Sequence, residues 1–169
     1  MSKAKVMNEL DYPDKISILS SRVTEEVCVF EGDVSSDFLS DCIEPDRFSV
    51  ISPVHYRFQC ERSGRGILVR GIVRVGLSCY CDRCLSPFEL ELPEVDICIF
   101  REGLEDREID LTEDIREDIV LSLPARLLCD EDCQGLCPQC GVNLNSSRCD
   151  CIQDKPVNSP WDQLNGLNL

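Results

Sequence analysis

The chain is predicted to be an α+β protein. Its expected parts are an antiparallel β-sheet that has the option of closing as a barrel, a packed amphipathic helix and a small C-terminal cysteine-rich metal-binding knuckle. Three observations predict this. Residues 66–77, "GILVRGIVRVGL", alternate apolar and polar side chains at period two. Residues 110–124, "DLTEDIREDIVLSLP", repeat apolar residues at helical spacing. Residues 128–151, "LCDEDCQGLCPQCGVNLNSSRCDC", hold six cysteines. The expected division is a β-rich α+β domain over 1–126, a cysteine-rich segment over 127–155 and a short C-terminal helix or tail over 156–169.

At the N-terminus, "KISIL" and "EVCVFEG" read as short strands, "SSDFLSD" as a helical turn, and "RFSVISPVHYRFQCE" as extended with Pro53 at an edge or bulge. His55, the one histidine of the chain, lies in that extended run and is read as a structural or surface residue. In the next strand Ile67, Val69, Val73, Val75 and Leu77 share one face, opposite Arg70 and Arg74. "FELELPEVDICIF" places Phe88, Leu90 and Leu92 inward, then changes parity after Pro93 to Val95, Ile97 and Ile99, so a bend is expected there. Centring the turn on "CDRC" makes paired positions sum to about 165, which sets Val75 against Leu90, Leu77 against Phe88 and Arg74 against Glu91. The helix follows, with Leu111, Ile115, Ile119 and Leu123 on its apolar face, Asp110 as N-cap and Pro124 as terminator. At the end of the chain Ser159, Pro160 and Trp161 read as the cap, first position and apolar anchor of a last helix.

A chain of 169 residues can bury roughly 70% of its unfolded surface, so it needs no disulfides to fold. No segment approaches the ~20 apolar residues of a membrane span, and the first residues lack the apolar core of an export signal. A cytoplasmic location is therefore expected, where thirteen cysteines stay reduced and clustered ones serve as metal ligands or redox thiols. With 17 basic and 32 acidic residues the net charge is −15, which disfavours nucleic-acid binding over the whole surface. The charge is uneven: residues 103–118 hold eight acids and two arginines, whereas residues 57–83 hold six arginines and two acids.

Cys81 and Cys84 form one C-x2-C pair at the hairpin tip, and Cys137 and Cys140 form another whose following glycine suits a tight turn. Cys129 and Cys133 are spaced C-x3-C, Cys149 and Cys151 C-x-C. Setting aside Cys28, Cys42, Cys60, Cys79 and Cys98 as small apolar residues leaves eight, enough for two four-thiolate sites. The favoured grouping closes Cys137, Cys140, Cys149 and Cys151 locally and joins Cys81 and Cys84 to Cys129 and Cys133. The competing grouping takes Cys129, Cys133, Cys137 and Cys140 together and leaves Cys149 and Cys151 to the hairpin pair; a single site with spare thiols is a third option. Zinc, two ions in a structural role, is preferred over iron–sulfur because no cluster-type run of spacings occurs. Four thiolates leave no open position for chemistry on the metal. No phosphate-binding glycine loop, nucleophile elbow or partner for a catalytic thiol is evident, so no enzyme and no small-molecule substrate is expected.

"CDRCL", "DIREDIVLSLP", the six-cysteine string and the closing "SPWDQL" together resemble the YceD family of bacterial and plastid proteins, over roughly residues 65–165. The resemblance implies a non-enzymatic factor for accumulation of large-subunit ribosomal RNA and assembly of that subunit. Two mechanisms fit such a role. Arg65, Arg70, Arg74 and Arg83, with Arg57 and Arg62, would meet ribosomal RNA phosphates across a sheet face. Alternatively, an acidic face around Glu105, Glu108, Glu113, Glu117 and Asp118 would shield a basic large-subunit ribosomal protein, a reading the net charge favours. A different class, a zinc–thiolate redox sensor or an interaction adaptor unrelated to ribosomes, is compatible with clustered thiolates.

Overall fold

The computed structural model describes residues 12–102 and 107–151. Among them are nine strands and one α-helix: β1 (Ser17–Leu19), β2 (Cys28–Val34), β3 (Phe48–Val50), β4 (Val54–Ser63), β5 (Gly66–Arg74), β6 (Gly76–Tyr80), β7 (Pro87–Glu91), β8 (Val95–Glu102), β9 (Glu108–Asp110) and α1 (Thr112–Leu121). All pairings between these strands are antiparallel, in a four-stranded sheet of order β2-β4-β5-β8, a three-stranded sheet β3-β6-β7 and a two-stranded ribbon β1-β9.

The two larger sheets are a continuation of one another across a bend. Strand β3 runs on into β4, β5 into β6 and β7 into β8, and the breaks fall at residues 51–53, 75 and 92–94. Pro53 and Pro93 stand in two of those breaks, and a proline has no N–H to give to a ladder. The regular ladders end there, although Ile51 N–H still donates to Gly76 O and Leu92 N–H to Val75 O across the breaks. Closure as a barrel is not realised, because none of the three sheets described here closes on itself.

Period-two patterning sorts the faces as expected. Val54, Phe58, Cys60, Val69, Val73, Val95, Ile97 and Ile99 turn inward and are buried. Against β8 lies α1, which buries Ile115 and Ile119 in the same core as Leu111. Each such fully buried large apolar side chain contributes about 1.5–3 kcal/mol relative to exposure. The N-cap is Leu111, which makes no side-chain cap, rather than Asp110 as expected; Asp110 stands one residue earlier, and its Oδ1 accepts from the Thr112 N–H at 2.9 Å, satisfying a donor the helix itself cannot. The "SSDFLSD" stretch forms a 3-10 turn at Ser36–Leu39. The expected C-terminal helix around Ser159, Pro160 and Trp161 lies outside the described residues.

The β6–β7 hairpin differs from expectation by a register of two. Leu77 faces Leu90 and Cys79 faces Phe88, so paired positions sum to 167. A shift of two leaves every side chain on its expected face. The hairpin loop is larger than a tight turn: Cys81 N–H donates to Ser86 O at 3.0 Å and Leu85 N–H to Cys81 O at 2.9 Å. Arg74 consequently does not face Glu91; it ends β5 opposite His55 and forms its ion pair with Glu94.

Candidate metal centre

That hairpin loop and the segment after α1 are built by the same local hydrogen bonding. In "CDRCLS", Cys81 N–H reaches Ser86 O and Leu85 N–H reaches Cys81 O; in "CPQCGV", Cys137 N–H donates to Val142 O at 2.9 Å and Gly141 N–H to Cys137 O at 2.9 Å. Each pair of bonds folds a C-x2-C so that both sulfurs face one point. The residue after the second cysteine must adopt a positive φ, which is +72° at Gly141 and +57° at Leu85. Glycine does this without strain and leucine does not.

Two groups of four sulfurs result: Cys81, Cys84, Cys129 and Cys133, and Cys137, Cys140, Cys149 and Cys151, the sulfurs of each group lying within 4.8 Å of one another. Of the three groupings open from spacing, the geometry selects the one that joins hairpin to tail. Cys81 Sγ is 3.7 Å from Cys133 Sγ, and Cys84 Sγ is 3.6 Å from Cys129 Sγ. A disulfide needs ~2.05 Å. A tetrahedron of sulfurs with Zn–S bonds of ~2.3 Å has edges of about 3.8 Å. The eight side chains thus fit metal ions, and four-sulfur sets are consistent with zinc.

The first group is inside the molecule. Cys81, Cys84 and Cys133 are buried with Phe88, Leu128 and Leu136 packed against them, and Cys129 is exposed. Tail and hairpin are tied further by Asp82, whose N–H donates to Leu127 O at 2.8 Å and whose Oδ2 accepts from Leu127 N–H at 2.7 Å. The second group is nearer the surface, with Cys137 buried, Cys149 and Cys151 half-buried and Cys140 exposed. Cys60 and Cys79 lie in the apolar core, Cys28 and Cys42 are half-buried and Cys98 is exposed.

The thiols within each group push one another's ionisation apart. Burial disfavours a thiolate at Cys81, but backbone N–H groups of Cys129, Cys84 and Arg83 outweigh it and lower the thiol to about 6. Backbone N–H groups of Cys140 and Gln139 lower Cys137 to about 6. The neighbouring Cys84 sulfur, with burial, pushes Cys129 up to about 12; the Cys140 sulfur, with burial, does the same to Cys151. Four adjacent thiolates need a cation to coexist, and a dication at the centre of each group would supply it.

The charged candidates disperse. Arg65 lies in the β4–β5 turn, and Arg70 is exposed on the outer sheet face. Arg57 pairs with Glu31, and Arg62 donates to Val23 O and Ser20 O. Arg83 turns toward the tail, its Nη1 donating to Cys133 O at 3.0 Å and Glu131 O at 3.2 Å. Among the acids, Glu108 is on β9 and accepts from the Ser17 hydroxyl, Glu113 pairs with Arg116, and Glu117 is exposed on α1. Asp118 is half-buried, which raises its carboxyl above the ordinary value, and Glu105 lies outside the described residues. His55 shares a hydrogen bond of 2.9 Å with Asp33.

Sequence reading missed Ser86, Asn143 and Asn145, which surround the first sulfur group. The signal present was "NLN", since asparagines between two ligand pairs mark a loop closed by side-chain-to-backbone hydrogen bonds.

Residues 99–168 match the model of the family described as "Large ribosomal RNA subunit accumulation protein YceD". Over that stretch the chain is similar to the YceD family. The match takes in six of the eight clustered cysteines and α1. A chloroplastic "Large ribosomal RNA subunit accumulation protein YCED homolog 1" of Arabidopsis thaliana is 43% identical over 49 residues, 29% of this chain and 15% of that protein. The homolog 1 of Zea mays is 44% identical over 54 residues, 31% of this chain and 17% of that protein. An uncharacterized protein of Mycobacterium tuberculosis is 34% identical over 101 residues, 51% of this chain and 49% of that protein. The YceD-like chain thus spans half or less of the length of these curated relatives. No solved structure matches it. Among the described residues, no helix is long and apolar enough to cross a membrane.

Proposed function

We propose that the protein is a non-enzymatic, cytoplasmic factor that supports accumulation of large-subunit ribosomal RNA, and that it works by holding a basic ribosomal protein. The YceD-family match over residues 99–168 carries the ribosomal aspect of this reading. The choice of a basic protein over RNA is supported by the arginines already committed within the chain: Arg57, Arg62, Arg74 and Arg83 have internal partners, leaving Arg65 and Arg70 of the proposed stripe. Against these stand the net charge of −15 and the acids Glu108, Glu113, Glu117 and Asp118, with Glu105 from the adjoining segment.

In this reading Cys81, Cys84, Cys129 and Cys133 hold one structural zinc and Cys137, Cys140, Cys149 and Cys151 a second. The metal supplies cross-linking of chain segments and no open coordination position. The segment 127–155 is then a unit stapled to the β-rich domain over 1–126, with 156–169 as a C-terminal extension. Affinity purification from growing cells, with and without ribonuclease, tests the function. Recovery of basic large-subunit proteins that survive ribonuclease is expected. Retention of ribosomal RNA alone, lost when Arg65 and Arg70 become glutamate, would transfer the role to RNA binding, and recovery of no ribosomal component would reject it.

A further inference from the structure

Between the two sulfur groups runs a short shared strip, Gln134–Leu136, covalently linking Cys133 of one to Cys137 of the other. The loop that joins Cys140 to Cys149 folds back along this strip. Leu144 N–H donates to Gly135 O at 2.9 Å, and Leu136 and Asn143 form an antiparallel bridge. Gly135, at φ +73°, lies close against the hairpin, where a Cβ would crowd Arg83 O at 3.1 Å. The strip is thereby held between the hairpin and the loop.

Asn145 in this loop reaches the other group's sulfur. Its Nδ2 donates to Cys133 Sγ at 3.3 Å and to Asn143 Oδ1 at 2.8 Å, while its Oδ1 accepts from Gln134 N–H at 2.7 Å. With both amide hydrogens and the oxygen engaged, the side chain has one pose, N–H toward sulfur. Asn143 continues the ring: its Oδ1 also accepts from Asn145 N–H at 2.9 Å, and its Nδ2 donates to Ser86 Oγ at 3.2 Å. The loop closing the surface group therefore supplies an outer hydrogen bond to one sulfur of the inner group, that of Cys133.

We propose that the two sites bind metal as one coupled unit, with Asn145 as the positioning residue that transmits the state of the surface site to Cys133. The proposal rests on the reading of both sulfur groups as metal sites. Four thiolates around a dication leave an excess of negative charge, and an N–H donor stabilises it. When Cys137, Cys140, Cys149 and Cys151 are drawn around one ion, the loop 141–148 is held and the Asn145 amide is fixed on Cys133. Emptying that site frees the loop and withdraws the donor. By thermodynamic reciprocity, filling the inner site strengthens the surface site by the same factor.

Metal titration of the reduced full chain, stripped and then given Co(II) or Zn(II), tests this through thiolate-to-cobalt absorption. Cys140→Ser disables the surface site; its inner site should bind on the order of 10-fold more weakly than the parent's. Asn145→Asp keeps the oxygen that accepts from Gln134 and removes the donor. It should still take two metals, with the inner site weakened about 10–100-fold, the magnitude for lost outer-sphere partners. Its charge-transfer band should move to lower energy, because Cys133 becomes a stronger electron donor. Combining it with Cys140→Ser should add little further loss at the inner site. Asn145→Ala repeats the test without adding a charge. Two metals in the parent with parental inner-site affinity and spectrum in both Asn145 variants would overturn the coupling and leave the metal reading intact. A parent that takes no metal would overturn both.

Discussion

Leu85 and Gly141 occupy equivalent positions in two turns of identical hydrogen bonding, which makes them a natural internal comparison. At φ +57° a leucine incurs about 1–2 kcal/mol that glycine does not, less the ~0.5–1 kcal/mol of extra chain entropy glycine loses on folding. Leu85→Gly is therefore expected to stabilise the metal-loaded protein by about 0.5–1 kcal/mol in urea unfolding. Gly141→Ala should destabilise it by about 1–2 kcal/mol even though a Cβ there meets nothing within 4 Å, the cost being conformational alone. No change for either variant would show that these turns tolerate both conformations. The glycine was legible from sequence because its chemistry signals the turn. Leu85 was not, since leucine carries no signal for positive φ. Nor was Asn145, whose role depends on which sulfur the fold brings to it.

Among the elements, α1 shows how far periodicity reaches. Leu111, Ile115 and Ile119 are buried as their spacing requires, and Asp110, one residue before the N-cap Leu111, accepts from the Thr112 N–H. The Thr112 side-chain and backbone hydrogen bonds hold the Asp110 carboxyl below its ordinary value. Its contribution is then fully present above the unfolded value of ~3.9 and is lost as pH falls through the lower folded value. Asp110→Ala should cost about 1 kcal/mol at pH 7, with the gap to the parent closing below pH ~4. A gap that stayed constant down to about pH 3 would rule out the charged acceptor. For the β6–β7 hairpin, faces were legible and register was not. Period two fixes parity, but the loop from Cys81 to Ser86 is set by the sulfur turn and displaces the pairing by two. Barrel closure was not legible either way, because period two sorts the faces of each strand but does not say whether the outer strands of a sheet meet, and among the described residues none of the sheets closes.

At the scale of the whole molecule, the bent sheet presents its hairpin tip to the segment after α1, and the inner sulfur group joins segments of the chain 45 to 52 residues apart in sequence. Spacing alone left three groupings of the cysteines open, because a contact of that range depends on the course of the bend. Structural zinc can carry ~10–16 kcal/mol of apparent binding energy that is largely folding energy, so metal loss should cost order far beyond the ligands themselves. Two closed four-thiolate sites, divided between hairpin-plus-tail and tail alone, are the central claim. Native mass spectrometry of the full chain, purified under reducing conditions, measures it directly. The parent should carry two zinc ions, and Cys84→Ser and Cys140→Ser should each retain one. A parent carrying one zinc, iron or no metal, or a variant that keeps both ions, would contradict it.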